Sequence, residues 1–175
     1  MDSEEMGRVL TRISHEILER NRNAEDLVVI GIKDGGVVLA RRLVDQLRKI
    51  ELIDVPVGEM DITLYRDDSH TPSNKPIIHK TEIPCSINGK RVVLVDDVLN
   101  TGRTIRAALD SLMDMGRPSV VQLAVLIDRG HRELPIQADY TGKNISAARS
   151  EEVKVTLEEE EGEDKVILQE LLPEG

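Results

Sequence analysis

The chain has 175 residues, 32% charged and 39% hydrophobic, with no Trp, no Phe and one cysteine. That size favours a single domain over 1–175 with an aliphatic core; the composition excludes an intramolecular disulfide framework and a membrane span of about 20 apolar residues, and with only Tyr65 and Tyr140 aromatic it leaves stacking on bases nearly unavailable. The net charge of −10 is local: residues 151–175 hold ten acids against two lysines, and residues 1–150 hold 23 acids against 21 bases.

The opening MDSEEMGRVL is acidic and lacks an apolar stretch, so no secretory leader is expected, and the lone Cys85 fits a reducing cytoplasm. Residues 3–20, within an N-terminal segment 1–24, read as a helix with Met6, Leu10, Ile13 and Ile17 on one stripe. Arg8, Arg12, His15 and Arg22 gather on another face. Leu27 to Ile30 is a short apolar run of the kind found in buried parallel strands. Gly35 and Gly36 then open a helix to about Ile50, with Leu39, Ala40, Leu43, Val44 and Leu47 inward.

Residues 55–64 predict a further strand, and 64–80 a long flexible loop without period. Asn88-Gly89 turns into a strand from Arg91, and a helix from about Thr104 to Met115 stops at Gly116 and Pro118. Residues 120–127 form another buried strand, followed by irregular polar chain. The tail, 151–172, alternates at Val153, Val155 and Leu157 and again at Val166 and Leu168, which predicts a hairpin with one buried face and a solvated acidic face. Helices alternating with apolar strands predict an α/β fold with a mostly parallel sheet.

The most informative segment runs from Val92, Val93, Leu94 and Val95 through Asp96, Asp97, Val98, Leu99 and Asn100 to Thr101, Gly102, Arg103 and Thr104. An apolar strand carries two adjacent carboxylates to the sheet edge where open α/β proteins bind ligands. The turn after it offers backbone N–H groups, two hydroxyls and a helix N-terminus, all suited to a phosphate. Carboxylates suit the donor hydroxyls of a sugar or a hydrated Mg²⁺. Acids beside a phosphate cradle describe a ribose 5-phosphate pocket. Neither GxxxxGK[ST] nor GxGxxG is present, and one cysteine with four scattered histidines makes no zinc pattern.

This segment resembles the phosphoribosyl diphosphate motif of type I phosphoribosyltransferases. With TRISHEILERN, EMDITLYRDD, DRGHRELPI and GKNI, nearly the whole chain is similar to the family of bifunctional pyrimidine operon attenuation proteins with uracil phosphoribosyltransferase activity. The resemblance implies a helix-flanked sheet with a mobile hood loop and a C-terminal hairpin. It also implies transfer of the phosphoribosyl group from its Mg²⁺-bound diphosphate to uracil, giving UMP. Asp96 and Asp97 would hold the ribose hydroxyls and, indirectly, the Mg²⁺. Residues 92–104 with Lys33, Asp34 and Gly35 would bind phosphoribosyl diphosphate, and Arg66 would close over the leaving diphosphate. Asp128, Arg129, Ile136 and Gln137 would surround uracil.

The family's second role is UMP- or UTP-dependent binding of pyrimidine operon messenger RNA to terminate transcription. Thr11, Arg12, His15, Arg20, Arg22, Lys143 and Asn144 would form that surface. Homodimers or homotetramers are implied, and no membrane contact.

Three departures from the family pattern stand out. The first glycine loop has Asp34-Gly35 where the family has Thr-Arg, so a cation toward the diphosphate is lost and an acid gained. Such a loop is also familiar from purine phosphoribosyltransferases. Asn100 stands for a Tyr, and Gln137 and Ser146-Ala147-Ala148 replace Arg and Pro-Thr-Ser. A phosphoribosyltransferase for another base, or a regulator with catalysis lost, therefore stays open beside the uracil enzyme.

Overall fold

A computed structural model describes residues 1–22, 24–65 and 81–170. The apolar stripe of the first segment forms α1 (Ser3–Arg20), which Asp2 caps by accepting from the Glu5 N–H at 2.8 Å. The other main elements are β1 (Leu27–Ile32), α2 (Gly35–Glu51), β2 (Val57–Met60), β3 (Arg91–Leu99), α3 (Arg103–Met115) and β4 (Val120–Asp128). The chain continues through β5 (Tyr140–Asn144), β6 (Glu151–Thr156), the short α4 (Glu158–Glu161) and β7 (Lys165–Glu170).

Strands β1 to β5 form one sheet in the order β2-β1-β3-β4-β5, and every pairing in it is parallel. The α/β class expected from the sequence is therefore what the chain adopts. From β1 the chain crosses outward to β2 through α2, and from β3 it crosses the other way to β4 through α3. Right-handed crossovers in opposite directions place their helices on opposite sheet faces. The core divides accordingly. Val29, Val93 and Val95 pack with α1, α2 and the hairpin residues Val153, Leu157 and Val166. Val28, Ile30, Val92 and Leu94 pack with Ile105, Ala108 and Leu112 of α3. Alternate residues of each strand thus feed two cores, which is why these runs are continuously apolar.

Several expectations are corrected. The strand drawn over 55–64 is only Val57–Met60, and Thr63–Tyr65 form a 3-10 turn. The polar stretch after β4 is not irregular throughout, because Tyr140–Asn144 adds the edge strand β5. Its single buried residue, Tyr140, leaves almost no apolar signal to read. The hairpin forms, but Leu168 is 43% exposed rather than inward. The rest of the predicted loop, 66–80, with Arg66, lies outside the described residues.

Candidate active site

The strand order reverses between β1 and β3, so the carboxyl ends of these neighbours flank a crevice. The sequence closes the crevice tightly. A Cβ on Gly36 would stand 2.4 Å from the Val95 carbonyl oxygen, and one on Gly31 would stand 2.4 Å from Val37 Cα. Glycine at both positions lets the loop 33–36 lie directly on the end of β3. That contact brings Asp34 and Gly35 beside Asp97. The Lys33–Asp34 peptide is cis.

Strand β3 runs on through both acids rather than ending before them. Asp96 is buried and accepts from the Asp97 N–H at 3.0 Å, while Asp97 accepts from the Val98 N–H at 2.7 Å. Burial pushes the Asp97 carboxyl above its usual range, and the nearby Asp34 charge adds to the rise. A carboxylate held at that cost gains from donor hydroxyls or a cation.

The turn expected to cradle a phosphate borders a pocket of about 330 Å³ lined by residues 98–105 and Glu133. Gly102, at φ +91°, precedes α3 and has no side chain to cap it, and the Thr101 hydroxyl accepts from the Arg103 N–H at 3.3 Å. The other first-turn N–H groups of α3 suit an anion. Arg103 turns to the rim, where Nε donates to Glu133 at 2.6 Å, so the main chain rather than its guanidinium forms the cradle.

Beyond the cradle, Asp128, Arg129, Ile136 and Gln137 line one cleft of about 490 Å³, together with Asn144 and Ser146 among others. The four residues expected around the base are thus brought together. Both Asp128 oxygens are occupied, one by the Gly130 N–H at 2.9 Å and one by Arg132 at 2.6 Å. Arg129 Nη2 donates to the carbonyls of Ala148 and Glu151. Two buried atoms here, Asn100 Oδ1 and Arg129 Nε, have no partner among the described residues. Arg132 escaped the sequence reading, and nothing in its spacing separates it from a surface arginine.

The side where the resemblance places the diphosphate is acidic. Lys33, Asp34, Arg41, Glu59, Glu159 and Glu160 line a cleft of about 300 Å³. Lys33 and Arg41 both pair with Glu59. The hairpin reaches this cleft because Arg42 of α2 holds Glu159 and Asp164. Partial desolvation, then the charges of Asp34 and Asp97, push the Glu160 carboxyl upward. The hairpin's acids are therefore not all a solvated face.

The comparisons agree with this architecture. Residues 2–160 match the phosphoribosyl transferase domain family. The bifunctional protein PyrR of Enterococcus faecalis is 56% identical over 168 residues, covering 96% of this chain and 94% of that protein. The chain belongs to the PyrR family. The Pelotomaculum thermopropionicum PyrR is also 56% identical, covering 96% of this chain and 93% of its own. Among solved structures, a hypoxanthine phosphoribosyltransferase of Trypanosoma cruzi superposes at TM-score 0.72 with 19% identity, covering 97% of this chain and 94% of that one. That likeness is one of fold.

On this PyrR-family chain, the expected RNA surface is only partly a free basic face. The Thr11 hydroxyl donates to the Gly7 carbonyl at 2.9 Å. Arg12 pairs with Glu16 and also donates to the carbonyls of Thr141 and Gly142, tying α1 to β5. Arg20 pairs with Asp139, and Lys143 with Glu5. His15 and Arg22 are exposed. Asn144 opens toward the base cleft, away from Lys143. Among the described residues no helix is long and apolar enough to cross a membrane.

Proposed function

We propose that this chain is a pyrimidine operon regulator that binds messenger RNA in a uridine-nucleotide-dependent way and also makes UMP from uracil and phosphoribosyl diphosphate. Residues 1–175 serve both roles as one cytoplasmic domain, in a homo-oligomer. The observation that carries the reading is the junction of three subsites along one sheet edge: the acids of β3, the glycine turn that opens α3 and the cleft at Asp128. Membership of the PyrR family supports it.

In this reading the 5-phosphate rests on the N–H groups and hydroxyls of Thr101, Gly102, Arg103 and Thr104. Asp96 and Asp97 accept from the ribose hydroxyls, and the base lies over Ile136 between Gln137 and Arg129. Attack by uracil N1 on the ribose C1 expels diphosphate as positive charge builds on the sugar ring. The buried carboxylates stabilise that charge, and the cradle holds C1 in line with the base.

No group of three or more metal-binding side chains occurs among the described residues. Asp96 and Asp97 suit a Mg²⁺ that keeps its waters and takes phosphate oxygens, not one held in a protein cage. When bound, that ion neutralises the departing diphosphate. Lys33 and Arg66 are the cations placed by sequence to follow it.

The test is product formation from phosphoribosyl diphosphate and Mg²⁺ with uracil, hypoxanthine, guanine or no base. UMP formation is expected. Turnover only with a purine would change the substrate, and no turnover with any base from folded protein would leave RNA binding as the chain's activity.

A further inference from the structure

We propose that Arg132 is a positioning residue that couples the phosphate turn to the base cleft, an inference that rests on the functional reading above. Its guanidinium nitrogens are all directed to protein acceptors. Nε donates to the Ile136 carbonyl at 2.7 Å, Nη1 to the carbonyls of Asn100 at 2.9 Å and Gly130 at 3.2 Å, and Nη2 to Asp128 Oδ2 at 2.6 Å. The side chain is 22% exposed and Asp128 15%. One planar fork therefore joins the residue before the phosphate turn to both walls of the base cleft.

Backbone bonds already zip 129–134 to the turn, as Arg129 N–H donates to Leu99 and Glu133 N–H to Thr101, each at 3.0 Å. Those bonds stop at the near wall. Arg132 reaches Asp128 and Ile136, which face the base. A ligand that settles the turn through its phosphate thereby sets the cleft that receives the base. A lysine ammonium lacks the fork needed for acceptors in four directions.

The test compares the full chain with Arg132→Lys and Arg132→Gln, titrating UMP by calorimetry and ribose 5-phosphate by NMR. Arg132→Gln should weaken UMP binding about 30-fold and ribose 5-phosphate less than about threefold, with Arg132→Lys between. Equal losses for both ligands, or no loss of UMP affinity, would overturn the coupling. If Arg132→Gln does not fold, Arg132→Lys must show the same UMP-selective loss, and its absence overturns the proposal equally. Failure of the unmodified chain to bind UMP would instead overturn the functional reading, and the proposal with it.

Discussion

Gly35 lies against Asp97: a Cβ at position 35 would stand 3.0 Å from Asp97 Oδ2. Position 35, where the family resemblance implies an arginine, therefore adjoins the carboxylate proposed to hold the ribose. Here that carboxylate meets Asp34 instead of a cation, and Glu160 approaches from the hairpin. Burial is the first cause of the rise in the Asp97 carboxyl, and the Asp34 charge adds to it.

Gly35→Arg should lower KM for phosphoribosyl diphosphate about fivefold, roughly 1 kcal/mol of added attraction for a polyanion. The flexible Asp97 side chain has to give way by a few tenths of an ångström, which the pairing offsets. Steady-state kinetics at low and high salt check it, and a KM unchanged at low salt would place position 35 away from the diphosphate.

Asp97→Asn should cut turnover at least about 100-fold while stabilising the ligand-free fold at neutral pH. The folded pKa is raised, so the native state binds the proton more tightly than the unfolded chain. Stability is then lost as pH rises from the unfolded value near 3.8 through the folded one. The variant should melt above the parent at pH 7 and level with it below that window. Thermal unfolding across pH tests this, and a variant that melts lower at pH 7 would contradict it.

Arg42→Ala should release the acidic hairpin from α2. Arg42 holds Glu159 and Asp164 below the usual carboxylate range, through its hydrogen bonds to them first and its charge second. Their contribution is present above the unfolded values of 4.5 and 3.8 and is lost as pH falls through the folded ones. The loss should be about 1–2 kcal/mol, mostly from Asp164, since Glu159 is half exposed. Faster hydrogen exchange in 151–170, with α3 unchanged, is the expected sign.

His15→Ala is the cleaner test of RNA binding, because Arg12 also fastens α1 to β5. Loss of His15 should weaken binding of a pyrimidine operon stem-loop about fivefold or more and leave UMP synthesis intact. Arg12→Ala should flatten the salt dependence as well and lower thermal stability slightly. Gel-shift titrations at several salt concentrations separate the two, and unchanged binding in both variants would move the RNA site elsewhere.

What the sequence determined by itself is local. Helical spacing in 3–20, the apolar runs of β1, β3 and β4, and Asp96-Asp97 followed by Thr101–Thr104 are patterns of neighbours, because strand alternation, helix period and a glycine turn act over a few residues. Tertiary structure alone decided which distant groups meet. Edge strand β5 exists because β4 offers it hydrogen bonds, with little apolar burial of its own. The resemblance implies one RNA surface from Arg12, Arg20 and Lys143, yet once α1 lies on the sheet Asp139 and Glu5 claim Arg20 and Lys143, and Arg12 turns to the Thr141 and Gly142 carbonyls. Arg42 and the packing of Val153, Leu157 and Val166 bring the hairpin acids toward Asp34, and Arg132 reads as any surface arginine until four segments converge on it. Charge pairing and main-chain acceptors depend on separation in space, which the order of residues along the chain does not carry.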